Sequence, residues 1–214
     1  QCELSLKNQS ATNCGISTSH PINVGTGGHG HTFPGPTLPF GMVQLSPDTR
    51  LEGWDGCSGY HYSDSLIYGF SHTHLSGTGI GDLGDVAFLP YSDTDEDIPV
   101  AAFEKRSEIA TPGYYGVRLE NFGIDVELTA TLRVGLHRYT YDHPDDRRIM
   151  LNLSHILQPG WGGAVVGNSF EVVDEKTIQG VRKTTGWAED HVVAWRAEFS
   201  EPFENSDILV EGLP

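Results

Sequence analysis

Alternation between apolar and polar side chains is the feature that most restricts the folds open to this chain. From Ile124 to Leu132 every second residue is apolar, and residues 192–199 repeat the pattern. A period of two places one row of side chains in a core and the other in water, as in a half-buried strand. Helical periodicity is nearly absent. The pattern predicts an all-β fold, an antiparallel β-sandwich or barrel, and a β-sandwich with long loops in its first half is the preferred interpretation.

Further short strands are expected along most of the chain, separated by turns rich in glycine, asparagine, aspartate and proline. They are predicted near residues 42–45, 68–72, 86–89, 114–120, 136–142, 148–153, 164–173 and 177–183. The 214 residues are enough to bury a core. The predicted organisation is an N-terminal extension over residues 1–20 and one β-sandwich domain over residues 21–214.

The charge balance excludes two classes of partner. Twenty-nine acidic residues against thirteen basic ones give a net charge of −16. Nucleic acids and anionic membrane surfaces both reward clustered lysine and arginine, so neither is an expected partner. No segment approaches the roughly 20 consecutive apolar residues of a membrane-spanning helix.

The cysteine count is odd, so at least one thiol is expected to be free. The three cysteines are Cys2, Cys14 and Cys57. Cys2 and Cys14 are close enough in sequence to form a disulfide, and Cys2 is alternatively a candidate for a lipid-bearing terminal residue. The sequence leaves both alternatives open.

Glycine, histidine and aromatic residues crowd into the window from residue 25 to residue 90. The densest runs are residues 25–36, 53–62 and 69–79. Packing a core does not require this mixture. Bare backbone beside aromatic rings and neutral polar groups is suited to a polyhydroxylated ligand such as a sugar.

Two motifs in the same half of the chain resemble ligand-binding signatures but lack the required context. Gly25–Gly30 and Gly79–Gly84 match the dinucleotide-binding glycine pattern, but no helix is predicted after either. Residues 93–97 with Glu104 imitate the carboxylate spacing of a calcium-binding EF-hand loop. Ile98 replaces the required glycine and Pro99 follows, so a solvated acidic loop is the preferred interpretation.

Paired histidines allow a metal site as an alternative to a sugar cleft. In His29-x-His31 and His72-x-His74 the two rings would point the same way on a strand. Such pairs bind zinc when further ligands are near, and the candidates are Cys57, Asp82 and Asp85. In the other interpretation the imidazoles are hydrogen-bonding groups in a polar cleft.

Trp54 is expected on a loop, because Gly53 precedes it and Asp55-Gly56 follows. It is either a plug over the core or a platform on which a sugar ring stacks. Two of the carboxylates Asp55, Asp82 and Asp85 are candidates for a glycosidase pair, although no spacing rule selects them.

Several consecutive motifs together resemble glycoside hydrolase family 92. They are GTGGHGHTFPG at residues 25–35, PFGMVQLSPDT at 39–49, SGYHY at 58–62 and GFSHTHLSGTG at 69–79, with weaker similarity continuing to about residue 205. The sequence departs from the family at residues 20–24 and at Leu83, where an aromatic residue is frequent.

The resemblance implies an exo-acting α-mannosidase that depends on calcium and inverts configuration. Family members join an N-terminal β-sandwich to a C-terminal (α/α)6 barrel, and the site lies between the two domains. The resemblance therefore implies a supersandwich-like β-sandwich for this chain. In the family, a glutamate acts as the general acid and an aspartate as the general base. These two residues and most of the calcium ligands belong to the barrel. The chain resembles the sandwich alone, so no catalytic residue is assigned to it and it is expected to be inactive by itself.

The resemblance also selects residues for the sugar site. The residues expected to bind substrate are Gly27, Gly28, His29, His31, Trp54, Asp55 and Cys57. Those expected to support the site from behind or to meet the second domain are Tyr60, His61, His72 and His74. Expected partners are mannose-containing glycans and the (α/α)6 domain, in a secreted, periplasmic or cell-surface protein. A free-standing carbohydrate-binding module and a metal-dependent hydrolase are the alternatives.

Overall fold

The computed structural model describes residues 24–92, 94–161 and 163–208. Cys2, Cys14 and the predicted extension over residues 1–20 lie outside the described residues. The strands are β1 (Ser46–Asp48), β2 (Leu66–Ile67), β3 (Gly69–Ser71), β4 (Ala87–Tyr91), β5 (Ala101–Ala102), β6 (Ile109–Thr111), β7 (Tyr114–Leu119), β8 (Ile124–Ala130), β9 (Gly135–Tyr141), β10 (Arg148–Asn152), β11 (Ala164–Asp174), β12 (Thr177–Thr185) and β13 (His191–Glu198). Two single-turn 3-10 segments accompany them, Trp54–Gly56 and Lys105–Ser107.

All strand pairings in the described part of the chain are antiparallel. One four-stranded sheet has the order β1-β3-β4-β10, and the other has the order β6-β7-β8-β9. A three-stranded sheet follows the chain order β11-β12-β13, and β2 pairs with β5. The all-β, sandwich-like fold predicted from the alternation is confirmed.

The β1-β3-β4-β10 sheet lies between the other two large sheets. Leu89 of β4 packs in the main core with Val126 of β8. Its neighbour Phe88 belongs to a second core cluster with Ile178 of β12. Because successive side chains on a strand point to opposite faces, these two clusters place a covered layer on each side of the central sheet.

One strand prediction was wrong in position. The expected strand at residues 42–45 is represented only by an isolated bridge between Gln44 and Thr37, and β1 begins at Ser46. β1 reads Ser-Pro-Asp and is buried throughout. A strand of this composition escapes a search for apolar periodicity, because Ser46 and Asp48 are polar although both are buried.

β11 is the longest of the described strands and lies at an edge of the three-stranded sheet. Its register against β12 shifts between Val165 and Gly167 and again between Val172 and Asp174. Each shift inserts one extra residue into β11, which is the arrangement of a β-bulge.

In the described residues no helix is long and apolar enough to cross a membrane.

Candidate functional site

Trp54 is held at the surface by two loops of the first half of the chain. It opens the 3-10 turn Trp54–Gly56, which follows Gly53 in the left-handed region at φ 80°. Its indole Nε1 donates a hydrogen bond of 3.1 Å to the carbonyl of Gly79. The residue is 53% exposed. Trp54 therefore offers an open, fixed aromatic surface and does not act as a plug over the core.

The first histidine pair, His29 and His31, gathers around this indole. The ring centroid of His31 lies 4.4 Å from that of Trp54 in an edge-on arrangement, and that of His29 lies 5.2 Å away. His29 Nδ1 is 2.5 Å from Asp55 Oδ1. This hydrogen bond, against a smaller opposing effect of desolvation, lowers the pKa of Asp55. The cluster thus combines an aromatic face with an ionised carboxylate.

His31 has a free polar atom beside the indole. The residue is buried, and its Nε2 has no hydrogen-bond partner in the described part of the chain. The nearest carboxylate oxygen, Asp55 Oδ1, is 3.9 Å away. His31 also has a φ of 51°, which is unusual for a residue with a side chain. A strained residue with an unpaired nitrogen is typical of a binding site.

The glycine-rich segment before His31 presents open backbone near the same cluster. Gly27 and Gly28 are exposed, and Gly28 has a φ of 55°. Gly30 packs so closely on Gly25 that an added Cβ would lie 2.0 Å from the Gly25 carbonyl oxygen. The backbone of Tyr62 donates a hydrogen bond of 2.8 Å to the Thr26 carbonyl and so links this segment to the loop that carries Trp54.

Cys57 lies under the turn rather than in the open site. Its thiol is buried and free, and it donates to the Trp54 carbonyl at 2.6 Å. Burial raises the pKa of the Cys57 thiol. Cys57 therefore supports the turn, and a direct contact with substrate stays a prediction.

Tyr60 and His61 lie behind the loop, in different surroundings. Tyr60 is buried and its hydroxyl donates to Glu108 at 3.0 Å and accepts from Lys105 Nζ at 2.7 Å. Burial and the Glu108 carboxylate raise the pKa of Tyr60. His61 Nδ1 lies 2.9 Å from the Ser63 hydroxyl. Neither side chain has a described contact with Trp54.

The second histidine pair does not present two rings to one ion. β3 ends at Ser71, so the strand geometry behind that expectation does not extend to His72 and His74. His72 Nδ1 donates to the Val86 carbonyl at 2.7 Å, whereas His74 Nε2 lies 2.7 Å from Asp48 Oδ1. Within residues 24–92, 94–161 and 163–208, no group of three histidine, cysteine, aspartate or glutamate side chains could hold a metal ion.

Two of the three candidate glycosidase carboxylates are occupied in the interior. Asp85 pairs with the buried guanidinium of Arg182 and accepts from Thr73 Oγ1 at 2.6 Å. Burial alone would raise the pKa of Asp85, but these groups together with His191 lower it. Asp82 accepts from the backbone N–H of Ala188 at 3.0 Å. These contacts do not favour Asp82 or Asp85 as the partner of Asp55 in a glycosidase pair, and which carboxylates act in catalysis stays open.

Sequence reasoning missed a buried polar network below the site. Asp48 is fully buried and accepts from His74 and from His155, whose Nε2 lies 2.8 Å away. The carbonyl of His155 in turn accepts from Arg182. His155 and Arg182 stand far from Asp48 in sequence, and no local motif marks them.

Comparison with known proteins places the chain in a family. The model of the glycosyl hydrolase family 92 N-terminal domain matches residues 22–213. The structure is similar to a family GH92 α-mannosidase of Bacteroides thetaiotaomicron in complex with mannoimidazole, with 35% identity and a TM-score of 0.78 over 86% of this chain. Another structure of that enzyme, described without this ligand, gives 35% identity and a TM-score of 0.76 over 84%.

A curated relative and a more distant structure agree with this result. An "uncharacterized secreted glycosidase" of Arthroderma benhamiae is 35% identical over 130 residues, which is 56% of this chain. An inverting GH92 mannosidase of Bacteroides thetaiotaomicron VPI-5482, 24% identical with a TM-score of 0.56 over 74% of the chain, supports the fold alone.

The chain spans only part of these relatives. It covers 25% of the length of the mannoimidazole-bound α-mannosidase and 16% of the length of the curated relative. The family model nevertheless matches nearly the whole of the described chain. On that match, this chain belongs to the family of glycosyl hydrolase family 92 N-terminal domains.

Proposed function

We propose that this chain is the sandwich part of an exo-acting α-mannosidase and forms one wall of the pocket for a terminal mannose. The observation that carries the proposal is the half-exposed indole of Trp54 beside the unpaired Nε2 of His31. The similarity to an α-mannosidase solved with mannoimidazole supports mannose as the sugar.

The arrangement has the chemistry that a pyranose ring requires. The apolar face of a sugar packs on an indole, while its hydroxyl groups need donors and acceptors around the edge. His31 Nε2 and the exposed backbone at Gly27 and Gly28 supply such groups next to Trp54. His29 and Asp55, hydrogen-bonded to each other, border the same indole.

The general acid and base of an inverting hydrolysis are proposed to lie on a C-terminal (α/α)6 domain. Asp82 and Asp85 are held by hydrogen bonds in the interior, and Asp55 is paired with His29. The residues of the described part do not by themselves fit a calcium ion, because no three suitable side chains meet there. The proposal therefore gives this chain a role in binding and orienting the sugar.

The substrates in this proposal are mannose-containing glycans with terminal α-mannosides. The location proposed is outside the cytoplasm, either secreted, in a periplasm or at a cell surface, which is supported by the description of the curated relative as secreted.

A free-standing carbohydrate-binding module is the second candidate, since the same exposed indole favours sugar binding without any hydrolysis.

Calorimetric titration of the chain with methyl α-D-mannoside tests the binding role. We expect Trp54→Ala to weaken binding at least about tenfold, because it removes the stacking surface. Trp187→Ala is the matched control, since Trp187 is 67% exposed and has no described contact with the cluster. Equal affinity of the Trp54→Ala variant and the wild type would contradict the assignment.

Activity measurements separate the enzyme from its alternatives. The chain alone should not hydrolyse an aryl α-mannoside, and hydrolysis by it would refute the proposal that the acid and base lie elsewhere. In the longer enzyme, Trp54→Ala should reduce the rate on that substrate at least about tenfold. A full-length gene product that ends near the sandwich would instead identify a binding module.

A further inference from the structure

Gln158 is a buried polar residue that the sugar site described above does not use. It is 1% exposed, and neither Oε1 nor Nε2 has a hydrogen-bond partner in the described part of the chain. Its backbone is satisfied, because its N–H donates to the Leu51 carbonyl at 3.1 Å and its carbonyl accepts from the Trp161 N–H at 3.1 Å. The unpaired amide is therefore a property of the side chain alone.

Two features of Gln158 oppose stability. A buried amide without partners is unfavourable compared with an apolar side chain of the same size. The residue also has a φ of 60°, in the left-handed region that residues with a side chain rarely adopt. Such conformations are retained where the surrounding structure imposes them, and they concentrate at functional sites.

The side chain of Gln158 is wedged between the two loops that hold the Trp54 indole. A Cβ added to Gly56 would lie 2.7 Å from Gln158 Nε2, and one added to Gly81 would lie 2.2 Å from Cγ. Gly56 ends the turn that begins at Trp54, and Gly81 stands two residues after Gly79, which accepts the indole hydrogen bond. Both glycines are needed for this contact, since any larger residue would displace the glutamine.

We propose that Gln158 is the positioning residue of the sugar site, an inference that rests on the proposed function. Its side chain sets the spacing between the turn at Trp54 and the loop at Gly79. Its amide, unpaired in the free chain, favours a slightly closed arrangement in which backbone groups of these loops hydrogen-bond to it when a sugar occupies the indole. An amide satisfied only in the bound state strengthens binding without stabilising the free protein.

The substitution Gln158→Met separates this role from a purely structural one. Methionine has a similar volume and fits irregular space but cannot form the amide hydrogen bonds. Gln179→Met is the matched control, because Gln179 lies on β12, away from both loops, and its amide is paired with Glu171. Three quantities are compared with the wild type: the melting temperature, the affinity for methyl α-D-mannoside, and the NMR resonance of the Trp54 indole N–H. That resonance is identified by its loss in the variant Trp54→Phe.

For Gln158→Met we expect a shifted Trp54 resonance and a melting temperature equal to or above that of the wild type. The dissociation constant for the mannoside should rise about fivefold, which is the effect of losing one net hydrogen bond. Gln179→Met should match the wild type in the resonance and the affinity. An unmoved resonance, or a lowered melting temperature with unchanged affinity, would overturn the proposal.

Failure of the proposed function would be visible separately. If the wild-type chain does not bind the mannoside, sugar binding by the isolated chain fails, and the Trp54 resonance alone decides whether Gln158 positions the indole. Should Gln158→Met not fold, Gln158→Asn replaces it. That variant keeps the amide but is one methylene shorter, so a shifted resonance supports the positioning role and an unmoved one overturns it.

Discussion

At the scale of single residues, histidines in this molecule serve two opposite purposes. His74 lies between two acceptors, with Nδ1 2.7 Å from the Gln44 carbonyl and Nε2 2.7 Å from Asp48. Both nitrogens of His74 therefore face hydrogen-bond acceptors, and one of these is the buried Asp48 carboxylate. Burial opposes ionisation of Asp48, but His74 and His155 outweigh it and hold its pKa below the usual range.

His72 is instead held neutral. Its Nδ1 donates to the Val86 carbonyl, its Nε2 lies 3.1 Å from His137 Nε2, and His137 Nδ1 lies 2.8 Å from the Tyr139 hydroxyl. Burial lowers the pKa of His72 to about 4 and that of His137 well below its usual range. A second proton on His72 would place two donors, its own Nε2 and that of His137, against each other.

This pair predicts a loss of stability in mild acid. Below pH 6.5 the unfolded chain takes up protons that folded His72 and His137 do not bind, so the free energy of unfolding should fall between pH 6.5 and about 4. Urea unfolding at several pH values measures this. The double variant His72→Leu/His137→Leu should give a flatter curve, whereas His143→Leu, at an exposed turn position, should keep the wild-type slope. Parallel curves for the double variant and the wild type would contradict the prediction.

How much of the site could be predicted depends on where its residues stand in the sequence. Dense motifs contain His29, His31, Trp54 and Asp55, and the contacts between the two motifs join residues at most 26 positions apart. Gln158 and the Asp48–His155 pair could not be anticipated in the same way, because strand topology brings together residues about a hundred positions apart. Their polar atoms carry no periodic signal.

At the scale of elements, β12 shows how a strand in the middle of a sheet accommodates bulky neighbours. Gly180 is paired with Phe170 on one side and Trp195 on the other. A Cβ at Gly180 would lie 2.1 Å from the Ser169 carbonyl oxygen and 2.8 Å from Cζ2 of Trp195. The missing side chain leaves the space in which the tryptophan ring lies.

Gly180→Ala should therefore destabilise the sheet. Overpacking of this kind costs about 1–3 kcal/mol of unfolding free energy. Gly167→Ala in neighbouring β11 is the control, because its Cβ would meet nothing closer than the Lys183 Cβ at 4.0 Å. Chemical denaturation compares the two variants, and equal stabilities would contradict the prediction, because the close approach to the Ser169 backbone remains even if the Trp195 ring moves.

Sequence periodicity predicted best the strands that have one solvent-exposed face. β8 and β13 alternate between more buried and more exposed residues as expected. β4 does not, since residues 87–90 are all buried between two covering layers. β2 and β5 have two residues each, too few for a period to be detected. Periodicity identifies a strand from one exposed face and β4 offers none, although its position near residues 86–89 was predicted correctly.

At the scale of the whole molecule, a buried ion pair ties the three-stranded sheet to the rest. Arg182 of β12 is fully buried and pairs with Asp85 in the segment before β4. Its Nε also donates to the Leu153 carbonyl at 3.1 Å, just after β10. One side chain thus joins three separate stretches of chain across two layers.

Arg182→Met should be among the most damaging single substitutions. It leaves Asp85 buried without its cation, a loss of about 3–5 kcal/mol in unfolding free energy. Lys183→Met is the control on the same strand, because the Lys183–Asp190 pair is exposed and contributes about 0–1 kcal/mol. The double variant Arg182→Met/Asp85→Asn should recover part of the loss in a urea unfolding series. No recovery would mean that Arg182 acts through its other hydrogen bonds.

The two register shifts in β11 have a consequence for the behaviour of the chain in solution. An edge strand of eleven residues presents a long row of free backbone donors and acceptors to any other strand it meets. The extra residues at Val166 and Val173 interrupt that row and increase its twist, so a second copy cannot add itself in register along the full length. The same bulges that interrupt the pairing of β11 with β12 therefore protect the exposed edge of the sheet from aggregation with the sheet of another molecule.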